Sequence, residues 1–533
     1  MKLGWRTDIN QGTVNRARSL AKQPLPPVAA ALAYNSGRSR RSRTVPLQSL
    51  HRSARGLSFV LFLGTVFLGC SQDDAPKHTN ILLISIDTLR ADHLSGYGYP
   101  RPTSPVLDEL AATGVRFDHA VVQWPKTGPS FASMFTSTYP KDNGIVRKIG
   151  VRLPDSFLML AEALKRESYA TRAVVANGAV ASEFNFNQGF DTYIESWKLS
   201  PPDDGVDPTG AEMITQLART AMEDHDPQTP YFLWVHYLDP HFPYQAPAPW
   251  TDHFAAAAAE EPSQKLEISE DRPTRQMLGI GYEQVLGDSD DLSFYVARYD
   301  AEIAYTDAQV GELLDFLRQQ GLMDDTLTVI TSDHGESLGE HHYFFDHGRF
   351  SFQPSLRVPL IFHQPGVLKA RVDTEPVELL DLTPTLLQAA GISLDDGLWM
   401  QGKSLWPRLT GTATPEESDG YAFAEAGYAV RPLWQRAVTD GRYKLIYAQD
   451  WGEQRWIAGQ KNPLALYDLS SDPGETVNLV DELPAEAARL HAALENLWSA
   501  PPYDVQIDRV EESEQREMDE ETRRQLKALG YLD

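Results

Sequence analysis

The chain has 533 residues, with 48 Lys and Arg against 74 Asp and Glu, a formal net charge of −26. Its hydrophobic share of 42% and charged share of 23% are those of a folded protein rather than a disordered one. The acidic balance excludes broad nucleic-acid binding, which needs a basic field. A single cysteine excludes an intrachain disulfide framework and a cysteine-rich zinc site.

The front of the chain differs from the rest. Residues 1–69 carry a net charge of +10, so the remainder carries −36. Residues 1–55 read as a disordered extension or an early start. Residues 56–70 form an uncharged, apolar run behind Arg52 and Arg55, the pattern of a secretion signal. The run is too short for a comfortable membrane span, which needs about 18–20 residues. Its end, Phe67-Leu68-Gly69-Cys70, resembles a bacterial lipoprotein processing site, with Phe67 where Leu is usual. That resemblance implies lipidation of Cys70 and an exported lipoprotein facing the periplasm or cell surface.

From Thr79 the pattern becomes strand, helix, strand. Ile81–Ile86 is a continuous apolar run, as in a strand buried on both faces. Similar runs fall at 173–175, 232–235, 327–330 and 359–362, with helical stretches at 104–113 and 305–319 between them. The alternation predicts an α/β fold with a large, mostly parallel central sheet. Residues 255–291 are polar and irregular and read as a surface insertion. The catalytic domain is expected over 76–415. Beyond it, 435–447 and 465–469 read as antiparallel strands and 485–497 as an amphipathic helix, a smaller α+β subdomain over 416–500. Residues 501–533 form a charged tail ending Leu526-Lys527-Ala528-Leu529-Gly530-Tyr531-Leu532-Asp533.

Polar residues collect at the ends of the predicted strands. Asp87 ends the first, His236, Asp239 and His241 follow the third, and Asp333 and His334 follow the fourth. Ligands of open parallel sheets bind at the carboxyl ends of strands. Carboxylates with imidazole suit zinc, manganese or calcium. In Trp124-Pro125-Lys126-Thr127-Gly128-Pro129, Pro129 fits the first turn of a helix. Thr127 then stands at a helix N-terminus, where N–H groups and the dipole favour an anionic ester. A metal alongside would make its hydroxyl a nucleophile; the competing reading is a plain helix cap.

The chain resembles the sulfatase family of the alkaline phosphatase superfamily. The matching segments run in order: 80–92 (NILLISIDTLRAD), 97–105, 127–133, 188–191, 239–244, 331–340 (TSDHGESLGE), 356–361, 381–392, 441–447 and 466–479. The resemblance implies an alkaline-phosphatase-like sandwich and a metal held by Asp87, Asp333, His334 and the nucleophile Thr127. It implies a substrate or leaving-group role for His241, and it places His347 where many family members have a substrate lysine. Three departures matter. Thr127 stands where the family has Cys or Ser oxidised to formylglycine, so hydrate chemistry is not expected. Phe131 replaces a family arginine. Thr88 replaces a second acid. A threonine nucleophile is similar to the superfamily's pyrophosphatases and phosphoethanolamine transferases. Asp239, with His236 or with His241 and His347, is the candidate for a second metal or for substrate binding.

The leading expectation is a metal-dependent hydrolase of small anionic esters on a glycan or lipid headgroup. Thr127 would attack a phosphoester or phosphodiester, with a sulfate ester the less favoured substrate. One divalent metal is expected, with two as the alternative. The membrane is a partner through the lipid anchor, and nucleic acid is not a partner. The rivals are an envelope phospho-headgroup transferase and a non-catalytic binding protein with an inherited pocket.

Overall fold

The protein is described by a computed structural model over residues 79–146, 151–199, 207–258, 264–269, 279–281, 284–394, 399–413, 420–427, 434–448, 463–499 and 518–532. The signal-like run, Cys70 and parts of the 255–291 insertion lie outside these residues.

The centre is a nine-stranded sheet. Its strands are β1 (Asn80–Ile86), β2 (Val115–Val121), β3 (Ala170–Val175), β4 (Thr192–Glu195), β5 (Tyr231–Tyr237), β6 (Thr326–Thr331), β7 (Arg357–His363), β8 (Arg371–Asp373) and β9 (Val377–Glu378). The spatial order is β8-β2-β7-β6-β1-β5-β3-β4, with β9 also on β2. β1 lies parallel between β5 and β6, and β3 and β4 extend the parallel set. β7 runs antiparallel to both of its neighbours. The central strands β5 and β6 are buried along their whole length, which explains the continuous apolar run 231–235 of β5.

Two hydrophobic layers sandwich the sheet. One face packs Phe131, Phe135, Leu160, Leu164 and Leu386, with Ile81, Leu83 and Trp234 from the strands. The other packs Leu107, Ile214, Ile303, Val310 and Leu314 against Leu82, Ile84 and Leu233. Alternate residues of β1 thus serve opposite layers, the period of a strand. The covering helices include α1 (Pro105–Thr113), α2 (Thr127–Thr136), α3 (Ala211–Met222) and α4 (Leu292–Gln319). The last is 28 residues long and starts earlier than the apolar stripe at 305–319 suggested. Asp291 caps it, accepting from the Ser293 N–H at 3.1 Å.

A four-stranded antiparallel sheet follows, β10 (Ala422–Gly427), β11 (Trp434–Thr439), β12 (Tyr443–Ala448) and β13 (Leu464–Asp468), in sequence order. Helix α5 (Pro484–Ser499) covers it through Ala487, Leu490 and Leu494. A last helix, α6 (Glu520–Ala528), sits in the charged tail. Among the described residues no helix is long and apolar enough to cross a membrane.

Candidate active site

The sheet register builds the site. Ser85 of β1 lies level with His236 of β5 and Thr331 of β6. The residues just past these ends, Asp87 and Asp333, therefore emerge side by side at the carboxyl edge. Asp87, Asp333 and His334 are fully buried. Each offers one ligand atom, and these atoms lie within 4.8 Å of one another. His334 Nε2 is 3.4 Å from Asp333 Oδ2 and 3.9 Å from Asp87 Oδ1. Both of those oxygens lack a hydrogen-bond donor although they are buried.

Two buried carboxylates this close repel, and burial disfavours their charge. Burial and the Asp87 charge push the Asp333 carboxyl up to about 8. Burial also opposes the charge on Asp87, but His236 and the other imidazoles more than offset it and hold that carboxyl down at about 2. A divalent cation would relieve both the repulsion and the two undonated oxygens, so the donor set fits one. This is the group of three metal-ligating side chains that the described residues bring together.

Thr127 opens helix α2 and is buried beside this cluster. Its Oγ1 is 3.3 Å from His334 Nε2. Ser130, one turn on, donates to the Asp333 carbonyl at 2.6 Å and ties the helix to that loop. His334 Nδ1 sits 2.9 Å from the Gly335 carbonyl, so Nδ1 donates and the lone pair of Nε2 faces the cluster. His241 is arranged alike: Nδ1 is 2.7 Å from the Phe242 carbonyl, leaving Nε2 as acceptor. Burial lowers the pKa of both rings, which favours the neutral form.

His347 joins them, with ring centroids 4.2 Å from His334 and 5.3 Å from His241. Its Nδ1 is 3.0 Å from Glu336 Oε1. Burial and the neighbouring imidazoles push its pKa well down. Gly348, at φ +86°, lets Lys126 cross its face; a Cβ there would stand 2.1 Å from Lys126 Cε.

His236 lies against Asp87, with Nε2 3.5 Å from Oδ2 and Nδ1 turned to the Ser85 hydroxyl at 3.1 Å. Asp239 does not join the cluster. Its Oδ2 accepts from Ala211 N at 2.8 Å and caps helix α3, so the carboxylate turns toward a helix N-terminus and away from the other groups. Phe131, at the position of the expected arginine, is a core residue. Its ring lies 4.9 Å from Trp234 and 4.8 Å, edge on, from His236.

Three site residues escaped the sequence reading as site members. Asn177 follows β3, donates to Asp87 Oδ2 at 2.6 Å and lies 3.5 Å from Thr127 Oγ1. The strand-end rule that found Asp87 applies equally to it. Glu336 orients His347 and accepts from the Tyr244 hydroxyl at 3.3 Å. Tyr531, from the far end of the chain, places its hydroxyl 3.0 Å from Thr127 Oγ1. The apolar Leu526, Leu529 and Tyr531 in a charged tail were its only sign.

The sulfatase family model matches residues 79–392, and that for the C-terminal part of N-sulphoglucosamine sulphohydrolase matches 339–499. The chain is similar to a choline-sulfatase of Rhizobium meliloti, 33% identical over 296 residues, which is 54% of each protein. It therefore spans about half the length of that relative. An arylsulfatase of Clostridium perfringens is 23% identical over 456 residues, covering 75% of this chain and 90% of that protein. Among solved structures, the phosphonate monoester hydrolase of Agrobacterium radiobacter shares the fold with a TM-score of 0.61 and 24% identity, over 79% of this chain and 95% of that one. With the family model spanning more than half its length, the chain belongs to the sulfatase family.

Proposed function

We propose that the protein hydrolyses an anionic ester by transfer to Thr127, with a phosphoester or phosphodiester favoured over a sulfate ester. The observation that carries this reading is Thr127 Oγ1 beside the Asp87, Asp333 and His334 cluster, at 3.3 Å from His334 Nε2.

A zinc, manganese or calcium ion on Asp87, Asp333 and His334 would supply Lewis-acid polarisation and favour the alkoxide form of a nearby hydroxyl. The chain's own groups do the rest. Thr127 presents its oxygen at the start of α2, where backbone N–H groups and the helix dipole receive an anionic group. Asn177 braces Asp87 from the side and reaches toward Thr127. His241 Nε2, an acceptor, takes up the proton that Thr127 releases and then returns it to the leaving oxygen, with His347, steadied by Glu336, beside it. Water then cleaves the Thr127 ester. Threonine cannot give the aldehyde of formylglycine, so a covalent ester released by water is the route open to it. Export and lipidation at Cys70 belong to the same proposal and would hold the enzyme near envelope glycans and lipid headgroups.

The test is Thr127→Ala in the full chain, assayed on aryl phosphate, phosphodiester, phosphonate and sulfate substrates with parallel metal analysis. Turnover is expected to vanish with metal content largely kept. Unchanged turnover in the variant removes Thr127 from the mechanism.

A further inference from the structure

The C-terminal tail ends inside the site. Helix α6 is capped by Asp519, which accepts from Thr522 N at 2.7 Å and pairs with Lys198 at 2.8 Å. Trp197 Nε1 donates to Thr522 Oγ1 at 3.1 Å. Gln525 clamps the backbone on both sides of Asn177, donating to the Ala176 carbonyl and accepting from Gly178 N, each at 2.6 Å. Gly178 makes room for this clamp, since a Cβ there would stand 2.6 Å from Gln525 Oε1. Beyond the helix, the Tyr531 hydroxyl lies 3.0 Å from Thr127 Oγ1, 3.3 Å from His241 Nε2 and 3.5 Å from Asn177 Nδ2. His241 Nε2 is an acceptor, so the phenol donates to it.

One phenolic oxygen thus touches both the attacking oxygen and the imidazole assigned to the leaving group. The reacting centre of an ester must stand between those two groups, within about 3 Å of the nucleophile. We propose that residues 518–532 form a strap that closes the active site, with Tyr531 in the ester's place, and that substrate enters only when the strap lifts. This rests on the reading of Thr127 and His241 given above.

The anchor is of a size that can be displaced. Of α6 only Thr522 and Leu526 are buried, while Glu520, Glu521, Arg523, Arg524 and Lys527 face solvent. A few hydrogen bonds, one surface ion pair, the buried Leu526 and the partly buried Met518, Leu529, Tyr531 and Leu532 hold the strap. A ligand that binds only the open form has its apparent affinity reduced by the fraction open. Removing the phenol returns that factor.

The experiment measures inorganic phosphate binding by calorimetry to the metal-loaded full chain, to Tyr531→Ala and to a chain ending at residue 517. Phosphate affinity is expected to rise at least tenfold in both variants. A synthetic peptide of residues 518–533 should reverse the gain in the shortened chain. Tyr531→Ala keeps the helix anchor, so it reports even if the shortened chain folds poorly. No gain in phosphate affinity in Tyr531→Ala overturns the strap. A fall in turnover with unchanged phosphate binding also overturns it and makes Tyr531 a member of the catalytic set. A gain in phosphate affinity with no turnover of any ester in any form leaves the strap standing and removes the proposed reaction instead.

Discussion

Phe131 decides whether the nucleophile's helix is held by charge or by packing. The expected arginine is absent, and the ring is fully buried against Trp234, Phe135 and His236. Phe131→Ala removes a buried aromatic ring and leaves a cavity, a loss of about 3–5 kcal/mol. The edge contact to His236 adds about 0.5–1.5 kcal/mol of specific geometry to the ring's burial. Phe131→Leu keeps most of the volume and should cost under about 1.5 kcal/mol. Because His236 rests on this ring and also faces Asp87, the alanine variant should lose metal affinity as well as stability. Urea unfolding at fixed metal concentration, with metal titration of each variant, reads both. An alanine variant within 1 kcal/mol of the parent, with unchanged metal affinity, refutes the packing account.

Three further outcomes follow from ion pairs and buried polar groups. Glu340 is opposed by burial, but the Arg90 guanidinium 2.7 Å away more than offsets it and holds the carboxyl below its usual range. Its contribution is therefore full above about pH 4.3 and fades as pH falls through the lowered pKa. The melting-temperature gap between parent and Glu340→Gln should hold above about pH 4.3 and narrow as pH falls below it, and a gap that stays constant on acidification counts against the pairing. Lys444 and Glu475 form a buried pair at 2.7 Å, with Glu475 also accepting from Gln353 N. Lys444→Met should cost about 3–5 kcal/mol by stranding the carboxylate, and adding Glu475→Gln should recover most of it; no recovery in urea unfolding refutes this. Asp307 receives the N–H groups of Val106 and Leu107 on its two oxygens, at 3.0 and 2.9 Å. Asn offers one acceptor for two donors, so Asp307→Asn should lose about 1–3 kcal/mol, and a neutral result would show that α1 does not need this cap.

How much of this was written in the sequence follows from physical range. Asp87, Asp333 and His236 were legible because an apolar run ending in a polar residue marks the edge of a buried strand. The direction of β7 was not, since a fully buried strand reads the same in either orientation. Asp239 was misleading because a carboxylate two residues before a histidine looks like a ligand pair. The choice between ligand and helix cap depends on where Ala211 N comes to lie. Phe131 looked like the loss of a charge, while the structure shows an aromatic cluster filling its place. Tyr531 is separated from Thr127 by 404 positions, and no local pattern encodes a contact of that range.

The central claim is a cation gripped by Asp87, Asp333 and His334 next to Thr127. Elemental analysis of the purified full chain, against Asp87→Asn and Asp333→Asn, tests it most directly. About one divalent ion per parent chain that is lost in both variants is the result expected of a three-ligand site. A parent chain that holds no ion after incubation with zinc, manganese and calcium, or variants that keep it, would contradict the account.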